Sequence, residues 1–169
     1  FGDCSRLSTL TLGDGVYAIS SDAFKGCVNL QAIHIGKNVP KYTCWNTIFP
    51  ASLGALETIT VSADNANYLS TATNCLVDKE DFTLYLGTNS SVIPNTVKII
   101  DVDAFNGCSG LSTINIPASV TEIRGNAFLN CTRLASVWCE SETPASIQTT
   151  SFKNIYSDAV LYVPTIEAV

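Results

Sequence analysis

The feature that most constrains this chain is a repeat of about 23 residues. Phe1 and Phe24 lie 23 residues apart, as do Phe105 and Phe128; Phe128 to Phe152 is 24 and Phe24 to Phe49 is 25. Three residues after the phenylalanine come Cys4, Cys27, Cys108 and Cys131, and six after it come Leu7, Leu30, Leu111 and Leu134. Apolar pairs two apart follow: Leu10/Leu12, Ile33/Ile35, Ile114/Ile116, Val137/Cys139 and Leu161/Val163. Val16, Val39 and Val120 then recur, with Ile19, Tyr42 and Ile123 three residues later.

Each position has a physical reading. A pair of apolar residues two apart puts both side chains on one face of a strand. The next run, such as "SVTEI", holds its apolar residues three apart, as a short extended segment with a twist or bulge does. "DAFKGC" and "DAFNGC" combine a small residue, an aromatic and a glycine, which fits a tight helical or 3-10 turn that inserts the phenylalanine into the core. One period is therefore a coil of two extended runs and a turn. A single coil buries too few apolar side chains to offset the entropy of ordering it, so coils must stack on their neighbours. The expected fold is mostly β with short helical or 3-10 turns: a solenoid of about seven coils, forming one domain over residues 1–169.

The pattern lapses twice. Leu53, Leu56, Ile59 and Val61 follow Phe49 one residue late, and 32 residues then separate Val61 from Ile93. That is nine more than one period. The extra length contains "CLVDKEDFTLYL", two apolar-rich runs around Asp78-Lys79-Glu80-Asp81, which predicts a β-hairpin inserted at about 67–88. The chain starts in mid-pattern at Phe1 and contains no methionine, and we read it as a trimmed piece of a longer protein.

The segments "IPASVTEIRGNAFLNCTRLASV" and "DAFNGCSGLSTINIPASV" resemble BspA-type leucine-rich repeats, also called the Treponema pallidum type, over nearly the whole chain. "NANYLSTATNCLVDKEDFTLYL" is similar to an insertion common in that family, and "TPASIQTTSFKNIYSDAVLYVP" to its usual last coil. There Asp158 replaces a leucine and Ile155 a cysteine. The resemblance implies a curved right-handed leucine-rich-repeat solenoid on surface or secreted proteins of bacteria and some protozoa, often associated with adhesion. It brings no catalytic motif, and ligands vary across the family, so fold does not fix function.

Composition narrows the partners. Nine basic and fifteen acidic residues leave a net charge of −6, with no basic stripe to meet phosphates or an anionic membrane. No apolar run approaches the ~20 residues that span a bilayer. The seven cysteines are an odd number, and four share one repeat position, so we expect reduced, buried residues rather than a disulfide frame. None forms a CxxC pair, which leaves a zinc site without support.

Catalytic and metal chemistry find little footing. His34, the single histidine, lies between Ile33 and Ile35 and is expected on the outer sheet face. The repeat cysteines point the other way, and Cys44 is expected beyond the strand, so no Cys–His pair forms. Asp64-Asn65-Ala66-Asn67 offers oxygens for calcium but lacks a full ligand loop, and a turn held by Asx hydrogen bonds is the better reading. Asn89-Ser90-Ser91 and Asn130-Cys131-Thr132 are glycosylation sequons. No enzyme activity and no cofactor are expected.

The exposed sheet face is the candidate binding surface. Its outward row reads Thr11, His34, Thr60, Val92, Asn115, Trp138 and Tyr162; the flanking row reads Thr9, Ala32, Thr58, Ser90, Thr113, Ser136 and Val160. Such residues also favour strands with no partner at all, but Trp and Tyr anchor interfaces well. The leading expectation is an extracellular or cell-surface adhesion module that binds protein, either host matrix or another surface protein. The alternatives are a glycan surface with Trp138 and Tyr162 under the sugar rings, or a passive stalk presenting another domain. The hairpin around Asp78 to Asp81 is the next candidate site.

Overall fold

A computed structural model describes residues 1–42, 45–49, 53–69, 72–143 and 145–164. The elements are β1 (Thr9–Leu12), β2 (Ala32–Ile35), α1 (Trp45–Ile48), β3 (Thr58–Val61), β4 (Leu76–Val77), β5 (Thr83–Leu86), β6 (Ile99–Ile100), β7 (Thr113–Ile116), β8 (Glu122–Ile123), β9 (Ser136–Cys139), β10 (Ser146–Ile147) and β11 (Val160–Tyr162). The molecule is a mostly β solenoid of the leucine-rich-repeat kind, with stacked coils and, among the described residues, one short helix. This is the architecture the repeat requires.

The apolar pairs form the first strand of six of the described coils. β1, β2 and β3 pair in parallel, with Leu10 beside Ile33 and Ile33 beside Ile59. β7, β9 and β11 do the same, with Ile114 beside Val137 and Val137 beside Leu161. Alternation is strict where a coil is covered on both sides: Ile114 and Ile116 are buried while Thr113 and Asn115 are exposed. The "SVTEI" runs make the second face, a five-stranded sheet in the order β10-β8-β6-β5-β4.

Between the faces the phenylalanines stack. Phe1, Phe24 and Phe49 form one column, with ring centroids 5.8 and 5.3 Å apart. Phe105, Phe128 and Phe152 form another at 4.9 and 4.8 Å. Left-handed residues four apart bracket the ring in several turns: Asp22 and Gly26, Asp103 and Gly107, Asn126 and Asn130. Glycine and asparagine adopt this conformation with the least strain, which fits the Asp/Asn two before and the Gly/Asn two after Phe24, Phe105 and Phe128. The repeat cysteines sit behind the turns, and those of Cys27 and Cys131 donate to the carbonyl of the preceding coil's phenylalanine, Phe1 and Phe105. All six described cysteines are free, four of them buried, with Cys4 and Cys139 half-buried. Cys44 lies outside the described residues.

The insertion is built more deeply into the stack than a simple loop-out. β4 and β5 form the antiparallel pair expected of a hairpin, with a register shift between Leu76 and Val77. β5 then pairs in parallel with β6, so it becomes a rung of the second sheet. All four β5 residues are buried. The apolar core consists of two clusters, and the hairpin feeds both: Leu76, Tyr85 and Leu86 the first, Cys75, Val77 and Leu84 the second.

The same insertion breaks the first sheet, which corrects the expected seven-rung row. Ser90 and Val92 belong to no strand, although Val92 is exposed and Ile93 buried in the expected sense. Thr73 and Asn74 wedge in instead. The Val92 amide donates to the Thr73 carbonyl, the Ile59 amide to Asn74 Oδ1, and Asn74 Nδ2 to Ser90 Oγ. Two three-stranded sheets result.

Candidate binding face

The outward row is split into two short rows by that wedge. Register places Thr11, His34 and Thr60 side by side on β1–β3, and Asn115, Trp138 and Tyr162 side by side on β7, β9 and β11. The sequence-predicted residues therefore lie on two separate three-stranded sheets, and Val92 lies in no strand.

The first row is polar and already partnered. His34 is half-buried rather than fully exposed, and its Nδ1 lies 2.6 Å from Thr60 Oγ1. Asp14, at the end of the row, accepts from the Lys37 amide at 2.9 Å. No strongly apolar anchor projects here.

The second row is different in kind. The Trp138 and Tyr162 rings stack with centroids 3.8 Å apart and planes within 7°. Both remain open to solvent, at 49% and 38%. Coplanar rings cannot bring their centroids so close, so the rings stand face to face. Neighbouring rungs are ~4.8 Å apart, which means the stacking axis runs from rung to rung and the rings stand up off the sheet. On the other side of Trp138, Asn115 Nδ2 donates to Glu140 Oε1. Glu140 is exposed and follows Trp138 by two residues, hence on the same face.

The last coil is loosely covered. Leu161 and Val163 are expected to point inward, yet they are 58% and 63% exposed, and every residue of β11 is solvent-accessible. Val120, Ile123, Ile147, Leu161 and Val163 line an apolar cleft of about 310 Å³ at this end. β7 is also an edge strand of this sheet, but the coil of Ile93 shares its core and covers Ile114, whereas no described coil lies beyond β11.

The other candidates resolve individually. Asn65 Oδ1 accepts from the Asn67 and Tyr68 amides at 2.8 and 2.9 Å, the Asx turn expected there. Its Nδ2 donates to the Gly36 and Val39 carbonyls, tying the turn to the preceding coil. In the hairpin, Asp78 is fully buried and accepts from Lys41 Nζ and from the Glu80 and Asp81 amides. Lys41 also meets Glu80 at 3.0 Å. The hairpin tip is thus clamped to the second coil. The sequon amides are engaged too: Asn89 Nδ2 donates to the Gly54 carbonyl and Asn130 Oδ1 accepts from Asn154.

A structural node escaped the sequence reading. Tyr68 is fully buried; its hydroxyl accepts from the Tyr42 amide at 2.6 Å and Trp45 Nε1 at 3.0 Å, and donates to the Pro40 carbonyl. Burial pushes its pKa up to about 12. Its three partners come from another coil, so no local signal marked it.

The family model described as "BspA type Leucine rich repeat region" matches six copies, over residues 1–74 and 77–165. Among solved structures, a leucine-rich repeat protein from Eubacterium ventriosum is similar at 22% identity and a TM-score of 0.48, covering 79% of this chain and 42% of that one. A leucine-rich cell surface protein from Faecalibacterium prausnitzii is similar at 20% identity and a TM-score of 0.46, covering 96% of this chain and 61% of that one. The chain therefore spans less than two thirds of either. No curated protein matches.

Proposed function

The chain belongs to the BspA-type leucine-rich repeat family, and from that premise we propose that it is a non-catalytic protein-binding module of an extracellular or cell-surface protein, with its contact surface on the β9–β11 face. The surface location follows from what the family resemblance implies. The observation that carries the contact surface is the stacked, solvent-open pair of Trp138 and Tyr162. Two aromatic rings already stacked on each other lose little side-chain freedom on binding, and such residues dominate interface energetics. Adhesion to a host matrix protein or another surface protein is the specific role this reading favours.

A sugar-stacking role fits the same residues less well. Each ring covers one face of the other, so the pair presents a ridge and not a broad platform.

Surface-displayed chain, screened against a panel of matrix proteins and a glycan array, tests the reading. We expect a protein ligand, with affinity weakened by at least ~2 kcal/mol in the double variant Trp138→Ala, Tyr162→Ala. Full affinity in a folded double variant would move the site elsewhere, and glycan hits alone would replace the protein reading.

A further inference from the structure

We propose that the slot above Asn115, walled by Trp138 and flanked by Glu140, receives an arginine side chain of the protein partner; this rests on the reading of the β9–β11 face given above.

The slot is defined by side-chain length and ring orientation. Asn115 and Trp138 occupy partnered positions on adjacent strands. The indole stands off the sheet with one face against Tyr162. Its other face looks over the short Asn115 side chain, towards the break in the sheet where Val92 belongs to no strand. With one face covered by Tyr162, the 49% exposure of Trp138 leaves the other face open to a planar group.

Charge decides which planar group. Glu140 reaches towards Asn115 and accepts from its Nδ2, which holds the carboxylate on the open side of the indole. Among the described residues no lysine or arginine forms an ion pair with it. The outward positions of both three-stranded sheets hold no lysine or arginine. A negative group beside an exposed indole face is complementary to a cation. Arginine fits better than lysine, because the guanidinium is flat, stacks on the ring and pairs with a carboxylate in the same plane. The chain's net charge of −6 favours approach of a basic partner.

Trp138 reports directly on the slot, since the other tryptophan, Trp45, is fully buried. Indole emission is followed while N-acetyl-arginine amide is added, with the citrulline, lysine and glucose counterparts as parallel arms. We expect a saturable change with arginine and none with citrulline at tenfold higher concentration. Glu140→Gln, an exposed substitution that leaves the fold intact, raises the half-saturation concentration at least fivefold. Equal responses to arginine and citrulline, an unaltered Glu140→Gln titration, or a response to glucose with arginine inert would each overturn the proposal. A protein partner that depends on Trp138 and Tyr162 while arginine amide fails would overturn this inference alone. Arginine binding with partner affinity unchanged in the double alanine variant would overturn the interface reading instead.

Discussion

Gly87 lies against the ring of Phe105 so closely that a β-carbon on residue 87 would fall 2.0 Å from Cε1 and 2.4 Å from Cζ. Phe105 is fully buried and its other face stacks on Phe128 at 4.9 Å. Gly87 therefore closes the phenylalanine column at the point where the inserted hairpin enters. Gly87→Ala must push a ring that has no free side, and should cost about 1–3 kcal/mol, the usual range for overpacking. Gly15, whose added β-carbon meets nothing within 4 Å, is the control, and Gly15→Ala should be close to neutral. Urea midpoints of the two variants measure the contrast; similar midpoints would mean the column relaxes.

Ile114 is buried between the β7 and β9 coils, beside Val137. Ile114→Ala should cost about 2–5 kcal/mol through lost burial and the cavity left behind. Thr11 projects outward from β1 and is exposed. Thr11→Ala should stay within about 0.5 kcal/mol. Comparable melting shifts for the two would reverse the inward and outward assignment.

Tyr68 should be one of several groups that set alkaline stability, beside Tyr85 and the buried thiols, whose pKa burial also raises. Its folded pKa is raised from the ordinary 10.0 to about 12, chiefly by burial. The fold therefore retains a proton that the unfolded chain releases above pH 10. Stability from this group is full below pH 10 and is lost between pH 10 and 12. Tyr68→Phe should flatten that part of the pH–stability curve while lowering stability at neutral pH, because the Tyr42 amide and Trp45 Nε1 lose their acceptor. An alkaline slope equal to that of the parent chain would show that other groups set it.

The thiols should react in an order set by burial. Burial raises the pKa of Cys75 to about 11 and of Cys131 to about 12, and pushes Cys108 further in the same direction. Thiolate is the reactive form, so these three should be silent towards a thiol reagent at pH 8, together with buried Cys27. Among the six described cysteines, the half-buried Cys4 should react first. Mass spectrometry of the labelled native protein reads the sites; early labelling of Cys131 would contradict the packing of its turn.

The sequence by itself determined the coil. Spacing of Phe, Cys, Leu and the apolar pairs gave the period, the parallel strands, the inward and outward alternation and the neighbouring positions of Trp138 and Tyr162, because stacking copies one coil's register onto the next. It also marked the hairpin around Asp78 to Asp81 by its length and its charged turn. Tertiary structure alone decided what the hairpin does. Joining β5 to the second sheet, placing Asn74 across the gap beside Ile59 and closing the ring column with Gly87 all depend on where two separate coils come to lie. The same holds for Glu140 reaching Asn115, a contact between residues 25 apart in the chain. A period specifies neighbours that repeat; an insertion has no neighbouring copy to set its register, so only packing against both flanking coils fixes its place.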